Sequence, residues 1–178
     1  MHKSKVKCFA KGRAGRKYDF GNKVSLAVTS KGSWTVGTMS LEGNLYDGHT
    51  LGKQLTRVRD FLGECEVREV FVDRGYRGNK HQGAETVDVE CEGRGSIPKS
   101  LWRFNKRRAA IEPIIGHMKS EYRLERNRVK GTLGNAVNVL LSGAAMNFGK
   151  WIKWVGQFWR VFSALLKMIF PVPAPSLP

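Results

Sequence analysis

Two acidic residues, Asp73 and Glu112, lie at positions where a carboxylate could take part in a reaction or bind a metal ion. Asp73 follows the apolar run EVREVFVD and precedes Arg74-Gly75-Tyr76. A buried strand that ends at Asp73 would bring its side chain into a crevice, and the glycine would let the loop turn away. The alternative is an aspartate that opens a turn by accepting a hydrogen bond from a nearby backbone N–H.

Glu112 lies in the segment RRAAIEPIIGHMKSE, which is predicted to be helical. On a helix, Arg108, Glu112 and Lys119 share one face, because their offsets of four and seven residues are close to whole turns. A carboxylate between two cations is suited to hold a metal ion while its neighbours bind phosphates. An ordinary salt-bridge ladder in solvent is the alternative. Pro113 should bend the helix or start it there.

The elements that would position these carboxylates follow one another in a mixed α/β order. Two β-like runs start at Lys23 and Trp34 and are joined by Ser30–Ser33, a link of hairpin length. A helix is expected with Thr50 as its N-cap and a stop at Gly63. Further strands are expected before Asp73 and at Thr86–Cys91, and then a basic helix from Ser100 to Arg123.

The ends of the chain differ in composition from its middle. We divide the sequence into a flexible basic arm at 1–17, a main domain at 18–150, an apolar amphipathic helix at 151–170 and a Pro-rich tail at 171–178. In the apolar helix, Lys153, Arg160 and Lys167 recur every seven residues and form a narrow basic line. Its charges argue against a membrane span, so burial against the domain is expected, with an interfacial helix as the alternative.

The charge of the chain requires an anionic partner. Lys and Arg total 31 against 15 Asp and Glu, for a formal net charge of +16 in 178 residues. Nucleic acid is the first candidate, because cationic side chains release counterions from phosphates, and an anionic membrane is the second. The three cysteines are widely spaced, which favours reduced thiols over a disulfide framework or a zinc site. With no secretory signal, a cytoplasmic protein is expected.

Several of these segments together resemble one protein family. Asp73 in VFVDRGYRG and Glu112 in KRRAAIEPIIGHMKS look like the second and third acidic positions of DDE transposases, with Arg108 and Lys119 at matching places. Asn105 stands where relatives often have Tyr. The segments KYDFGNKVSLAVTSKG, EGNLYDGHTL and YRLERNRVKGTLGNAVNVLLSGAAMNF are similar to bacterial insertion-sequence transposases of the group numbered five. The resemblance covers about residues 5 to 150.

The resemblance implies a fold and a chemistry. The fold would be ribonuclease-H-like, here truncated, with a mixed sheet that contains a β-hairpin and two further strands, followed by C-terminal helices. Asp73 and Glu112 would be catalytic residues and ligands of Mg²⁺, which serves phosphodiester cleavage and strand transfer at transposon ends. Transposon-end DNA would be bound by cationic residues around this site: Arg107, Arg108, Lys119, Arg123, Arg126 and Lys130.

The first acidic position of the family has no good candidate in this sequence. It belongs on a strand before Lys23, where the only acidic residue is Asp19, at the entry to that strand. Asp47, in LYDGHTL, comes too late in the order, and capping of the following helix is its simpler role. We therefore expect the first Asp to lie before Met1. A truncated transposase, inactive alone, is the resulting hypothesis.

The partners expected for such a chain are DNA, a complementing N-terminal transposase fragment or a second copy of the chain. A membrane partner is not favoured. Without its first strand, the hairpin at 23–40 would present an unpaired edge, which favours aggregation or pairing with the complementing fragment. The alternative function, from another class, is a non-catalytic nucleic-acid-binding or regulatory remnant that keeps the basic surface.

Overall fold

The strands pair two by two in the part of the chain that the computed structural model describes, which is residues 7–13, 16–43, 45–81, 83, 86–89 and 109–170. Strands β1 and β2 are antiparallel, as are β3 and β4, whereas β5 and β6 are parallel. The α/β class predicted from the sequence is confirmed, but one mixed sheet is not found among these residues. The strands are β1 (Lys7–Arg13), β2 (Arg16–Gly21), β3 (Lys23–Val28), β4 (Thr35–Leu41), β5 (Glu69–Val72) and β6 (Thr86–Val89).

Three α-helices lie among the described residues. Helix α1 (Asp47–Leu62) stands between β4 and β5, and α2 (Ile111–Ser120) and α3 (Gly131–Ile169) follow β6. Thr50, predicted as the N-cap of the first helix, is instead inside α1, where its hydroxyl donates to the Asp47 carbonyl at 2.7 Å. Tyr46 is the N-cap residue. The predicted stop at Gly63 is confirmed, because Gly63 has a φ of 61° and caps the helix.

The basic N-terminal segment is largely a hairpin rather than a flexible arm. Strand β1 pairs with β2 from Lys7↔Gly21 to Arg13↔Arg16, with an irregularity between Ala10 and Arg13. Asp19 lies within β2, opposite Phe9, and not at the entry to β3; among the described residues β2 pairs with β1 and not with β5, so strand pairing does not bring Asp19 beside Asp73. The high density of Lys and Arg hid this hairpin, since charge without a clear alternation is typical of loops.

The second hairpin matches its prediction closely. Strands β3 and β4 pair in register from Lys23↔Leu41 to Ala27↔Gly37. The turn between them contains Gly32 at φ 72° and Ser33 at φ 51°, two successive residues in the left-handed region. The backbone N–H of Thr29 donates to the Trp34 carbonyl at 2.8 Å, and the Trp34 N–H donates to the Thr29 hydroxyl at 3.0 Å. These bonds close the turn.

Helices α1 and α3 cover opposite faces of this hairpin. A Cβ on Gly37 would lie 2.8 Å from the side chain of Val58 on α1, so the helix approaches the strand closely there. The next residue, Thr38, points to the other face. Its methyl group would lie 2.7 Å from a Cβ on Gly143 of α3. The hairpin is therefore the middle layer between two helices.

A side-chain amide fastens α3 to the start of β4. Asn147 donates from Nδ2 to the Thr35 carbonyl at 2.7 Å and accepts from the Thr35 N–H at 2.9 Å. One turn of helix further on, the Lys150 ammonium donates to the carbonyls of Gly32 and Ser33 and lies 5.9 Å from the Trp34 ring centroid. Burial lowers the pKa of Lys150 below its ordinary value. Helix and hairpin are thus joined by polar bonds to backbone groups.

The short helix α2 packs on the same side of the hairpin as α3. Ile114 and Met118 of α2 form a buried cluster with Met146 of α3, and Leu26 and Val28 of β3 pack against it. The helix ends at Ser120 and not at Arg123 as predicted; Pro113 lies in its first turn, where its missing N–H costs no hydrogen bond. The segment of the predicted helix from 100 to 108 lies outside the described residues.

The C-terminal half of α3 extends beyond the hairpin. The helix predicted at 151–170 is continuous with the preceding one, and its apolar side chains are exposed, which makes the expectation of burial against the domain wrong. The reason is length: 39 residues of helix span about 58 Å, more than the hairpin can cover. None of the described helices combines the length and hydropathy that a membrane crossing requires. The tail at 171–178 lies outside the described residues.

Two of the three cysteines fall in the described residues. Cys8 and Cys65 are free and exposed, as expected for reduced thiols. Cys91 is outside the described part.

The close approach at Gly143 leads to a stability prediction. Gly143→Ala should lower the free energy of unfolding by about 1–3 kcal/mol, because the added methyl group forces α3 away from Thr35 and Thr38. Gly116→Ala is the matched control, since a Cβ at Gly116 in α2 meets no atom within 4 Å. It should raise stability by up to about 1 kcal/mol through helix propensity. Urea unfolding of both variants checks this, and the same sign for both would contradict it.

Arg123 leads to a second stability prediction. It has a φ of 57°, although it is not a glycine, and it lies where the chain leaves α2, with the Leu124 N–H donating to the Met118 carbonyl at 2.9 Å. A left-handed conformation costs a side-chain-bearing residue about 1–2 kcal/mol. Arg123→Gly should therefore be more stable than Arg123→Ala by about 1 kcal/mol, although both variants lose the same charge. Equal thermal unfolding of the two variants would show that the position carries no strain.

Candidate functional site

Asp73 lies where the chain leaves the core. Val72, the last residue of β5, is buried in a cluster with Leu51 and Leu55 of α1, and Asp73 is exposed. One oxygen of its carboxylate accepts from the Arg74 N–H at 2.7 Å, and its carbonyl accepts from the Tyr76 N–H at 3.0 Å. The strand end predicted from the sequence is thus confirmed. So is the turn-opening role given as its alternative, because Asp73 caps the 3₁₀ turn Arg74–Tyr76.

The carboxylate of Asp47 lies against the loop that follows Asp73. Its Oδ2 would be 2.6 Å from a Cβ on Gly75, so only a glycine allows this approach. Its Oδ1 is 2.5 Å from the ammonium of Lys23, the first residue of β3, and Lys23 also donates to the Leu45 carbonyl at 3.0 Å. Asp47 is the first residue of α1, where the positive end of the helix dipole stabilises an anion. The first residue of β3, the start of α1 and the end of β5 therefore meet at one place.

A second set of contacts fixes the loop after Asp73. The Tyr46 hydroxyl donates to the Arg77 carbonyl, and the Tyr46 ring lies edge-on to His49 with centroids 5.4 Å apart. Gly78 turns the chain at φ 68°, and Asn79 donates from Nδ2 to the Tyr76 carbonyl at 3.1 Å. The segment LYDGHTL thus contributes Tyr46 and Asp47 to this site. Sequence reasoning gave no role to Tyr46 or Lys23, and only the position of LYDGHTL within the resemblance could have indicated one.

Glu112 lies on α2, which packs against a different part of the hairpin. It lies in the first turn of α2, exposed, where the helix dipole again favours an anion. Ile114 and Met118, which are buried, point about 120–160° around the helix from it. Lys119 shares the exposed face with Glu112, as the spacing predicted, whereas Arg107, Arg108 and Asn105 lie outside the described residues.

The contacts of the described residues join Asp73 to the loop beside Asp47, and they join α2, which carries Glu112, to α3 and the second half of β3. Asp73 and Glu112 offer oxygen ligands of the kind that Mg²⁺ prefers. Within the described residues, no group of three or more His, Cys, Asp or Glu side chains is placed to hold a metal ion. Asp73 and Glu112 are therefore of the residue type that binds Mg²⁺, but the described residues bring too few such side chains together to hold the ion.

The loop between α2 and α3 carries exposed cations on a rigid support. Hydrogen bonds between uncharged groups hold this loop on α3. The Ser142 hydroxyl donates to the Tyr122 carbonyl at 2.8 Å, and the Asn127 side chain donates to the Asn135 side chain at 2.6 Å. The cations themselves are exposed and form no ion pair within the described part of the chain. Together with Lys119 in the last turn of α2, we call this set the basic loop: Lys119, Arg123, Arg126, Arg128 and Lys130.

A family model supplies the identity that the geometry alone leaves open. No curated protein and no solved structure matches the chain at a significant level. The model described as "Transposase DDE domain" matches residues 2–148, which is well over half of the 178 residues. The match includes the two hairpins, the loop after Asp73 and the helix that carries Glu112. The chain therefore belongs to the transposase DDE domain family, and its role is that of a transposase in DNA transposition.

Proposed function

We propose that this chain binds transposon-end DNA through the basic loop and presents Asp73 and Glu112 to the scissile phosphate. The observation that carries this proposal is the exposure of both carboxylates, one at a strand end and one at a helix start, with Lys119 on the helix face of Glu112. The family implies a ribonuclease-H-like fold, which we propose for this chain. In that fold Asp73 and Glu112 would be ligands of Mg²⁺.

The chemistry that Mg²⁺ supplies in such a site is activation of the attacking oxygen and stabilisation of the leaving oxygen at a phosphodiester. The residues of this chain would contribute the surroundings. Lys119 shares a helix face with Glu112 and would hold a phosphate as a point charge. The Arg74 N–H donates to one oxygen of Asp73 at 2.7 Å and fixes the orientation of this carboxylate at the strand end.

We also propose that the isolated chain does not cleave DNA. Asp47 is the acidic residue beside the loop of Asp73, and the Lys23 ammonium at 2.5 Å neutralises it. Asp47 is therefore a poor third ligand, and the family chemistry needs a third carboxylate. In the described residues β3 pairs with β4 and β5 pairs with β6. Both β4 and Val72 of β5 pack against α1. The strand that bears the third carboxylate would therefore fit between β3 and β5.

The alternative function is a non-catalytic nucleic-acid-binding or regulatory protein. The net charge of +16 favours it as much as it favours the enzyme. DNA binding without cleavage is common to both hypotheses, and only complementation distinguishes them.

DNA binding by the basic loop gives a direct prediction. Replacing Arg123, Arg126 and Lys130 by Gln should weaken binding to the DNA ends of the element about thirtyfold at 0.1 M salt. The slope of log affinity against log salt should become shallower by about 3, since each phosphate contact releases counterions. Fluorescence anisotropy with labelled duplexes measures both quantities.

The matched control for the basic loop removes three charges elsewhere. Lys153, Arg160 and Lys167 lie on the extended half of α3, and their replacement by Gln lowers the net charge equally. This variant should keep both the affinity and the salt slope within about twofold, because its charges lie outside the proposed contact. Equal weakening by the two triple variants would show that only total charge matters.

Cleavage gives a further prediction. The 178-residue chain with Mg²⁺ should leave the transposon-end duplex intact, and activity should appear when a segment with the family's first acidic strand is added. Asp73→Asn and Glu112→Gln should each abolish the restored cleavage without changing DNA binding. Mg²⁺-dependent cleavage by the chain alone, lost in Asp73→Ala, would contradict the proposed inactivity; failure of every complementing segment would favour the non-catalytic alternative.

A further inference from the structure

The exposed side of α3 carries an apolar repeat of seven residues. Starting at Val137, apolar side chains recur at alternating steps of four and three residues for five successive heptads. They are Val137, Leu141, Ala144, Phe148, Trp151, Val155, Phe158, Phe162, Leu165 and Ile169, and we call them the seam. Apart from Ala144, which is partly exposed, each is 38–66% exposed.

The period of the seam indicates what covers it. A stripe that serves burial against a hairpin or a flat membrane follows the 3.6-residue turn of a straight helix. A strict seven-residue repeat drifts by about 20° per heptad on such a helix, which amounts to about 90° over the length of the seam. Another helix that supercoils with α3 keeps the whole seam in contact.

The charges of α3 are arranged for a partner with the same charge. Lys153, Arg160 and Lys167 lie opposite the seam, two residues before Val155, Phe162 and Ile169 respectively. Contact through the seam therefore brings no cation near another, although each chain has a net charge of +16. An anionic partner would instead be drawn to the opposite, cationic line.

An apolar groove lies beside the N-terminal half of the seam and adds to its apolar surface. The groove has a volume of about 560 Å³ and lies between β4 and α3, lined by apolar side chains that include Trp34, Phe61, Phe148 and Trp151. Phe148 and Trp151 belong to both the groove and the seam. The seam thus runs from a groove on the hairpin onto a free helix.

We propose that a second copy of this chain binds along the seam, antiparallel, so that the free half of each α3 fills the groove of the other. A two-fold arrangement of this kind uses one surface twice and covers both grooves and both seams. Centred on Lys153, it sets Phe148 opposite the partner's Phe158, Leu141 opposite Leu165 and Ala144 opposite Phe162. Two of these pairs match side chains of equal size, and in the third the small Ala144 leaves room for Phe162.

The area of the seam is sufficient for a stable dimer. A large apolar or aromatic side chain that is about half exposed leaves roughly 100 Å² to bury, so the nine large seam residues offer roughly 900 Å² per copy. Specific protein interfaces bury about 800 Å² per partner. The exposed ladder Trp154, Phe158 and Phe162, with ring centroids 6.1–6.5 Å apart, presents a rigid surface for this contact.

The oligomeric state of the full chain tests this proposal. Light scattering over a range of concentrations should show a dimer for the wild type and for Gln157→Glu, and a monomer for Phe158→Glu. Gln157 neighbours Phe158 on the same turn but lies off the seam, so it receives the same charge as a matched control. Phe158 is 61% exposed, and its replacement should leave the thermal unfolding of the hairpin unchanged. A monomeric wild type, or dimers for both variants, would contradict the proposed dimer through the seam.

An intermolecular distance tests whether the two copies are antiparallel. With Cys8, Cys65 and Cys91 replaced by Ser, a spin label on Lys167→Cys should give an intermolecular distance of about 42 Å, because antiparallel copies centred on Lys153 separate these positions by 28 residues of helix. A distance near 20 Å would show a parallel pair and overturn the arrangement. Vesicles with anionic lipid provide the remaining outcome: a monomeric chain that binds them, and loses binding in Phe158→Glu, would assign the seam to a membrane surface instead.

Discussion

The contact between Gly143, Asn147 and the start of β4 holds α3 close against the hairpin. A side chain at Gly143 would hold α3 away from Thr35 and Thr38, and the Asn147 amide satisfies both backbone groups of Thr35. The hydrogen bonds are useful only if the helix is close, and the close approach is stabilised only if those backbone groups are paired. Packing and hydrogen bonding thus depend on each other at this one turn of α3.

Two functional surfaces follow from this anchored turn. Toward its start, α3 holds the basic loop through Ser142, which donates to the Tyr122 carbonyl, and Asn135, which accepts from the Asn127 side chain, so the exposed cations have a fixed support. Toward its end, the helix continues past the hairpin with apolar side chains on its surface. In our account the first surface binds DNA and the second binds another copy. In this proposal one helix couples the DNA contact of a protomer to its pairing.

The sequence predicted elements whose signals are local, and it failed where tertiary packing decides. The hairpin 23–41 and the strand before Asp73 have short apolar runs beside turn residues, and both were found. The hairpin β1–β2 was missed because its pairing is visible only as register between Lys7 and Gly21. Of the candidate site, the exposed positions of Asp73 and Glu112 followed from their elements. The bond between Lys23 and Asp47 joins residues 24 apart through a fold that spacing alone does not reveal.

We propose that Asp73 and Glu112 bind metal at one DNA phosphate, although the described contacts place them on separate elements. Crystals of the chain with transposon-end DNA and Mn²⁺ test it most directly, since the anomalous signal of the metal locates each ion. The account predicts one ion that is coordinated by oxygens of both Asp73 and Glu112 beside a phosphate. An ion bound at Asp47 in place of Lys23, or ions that contact neither Asp73 nor Glu112, would contradict it.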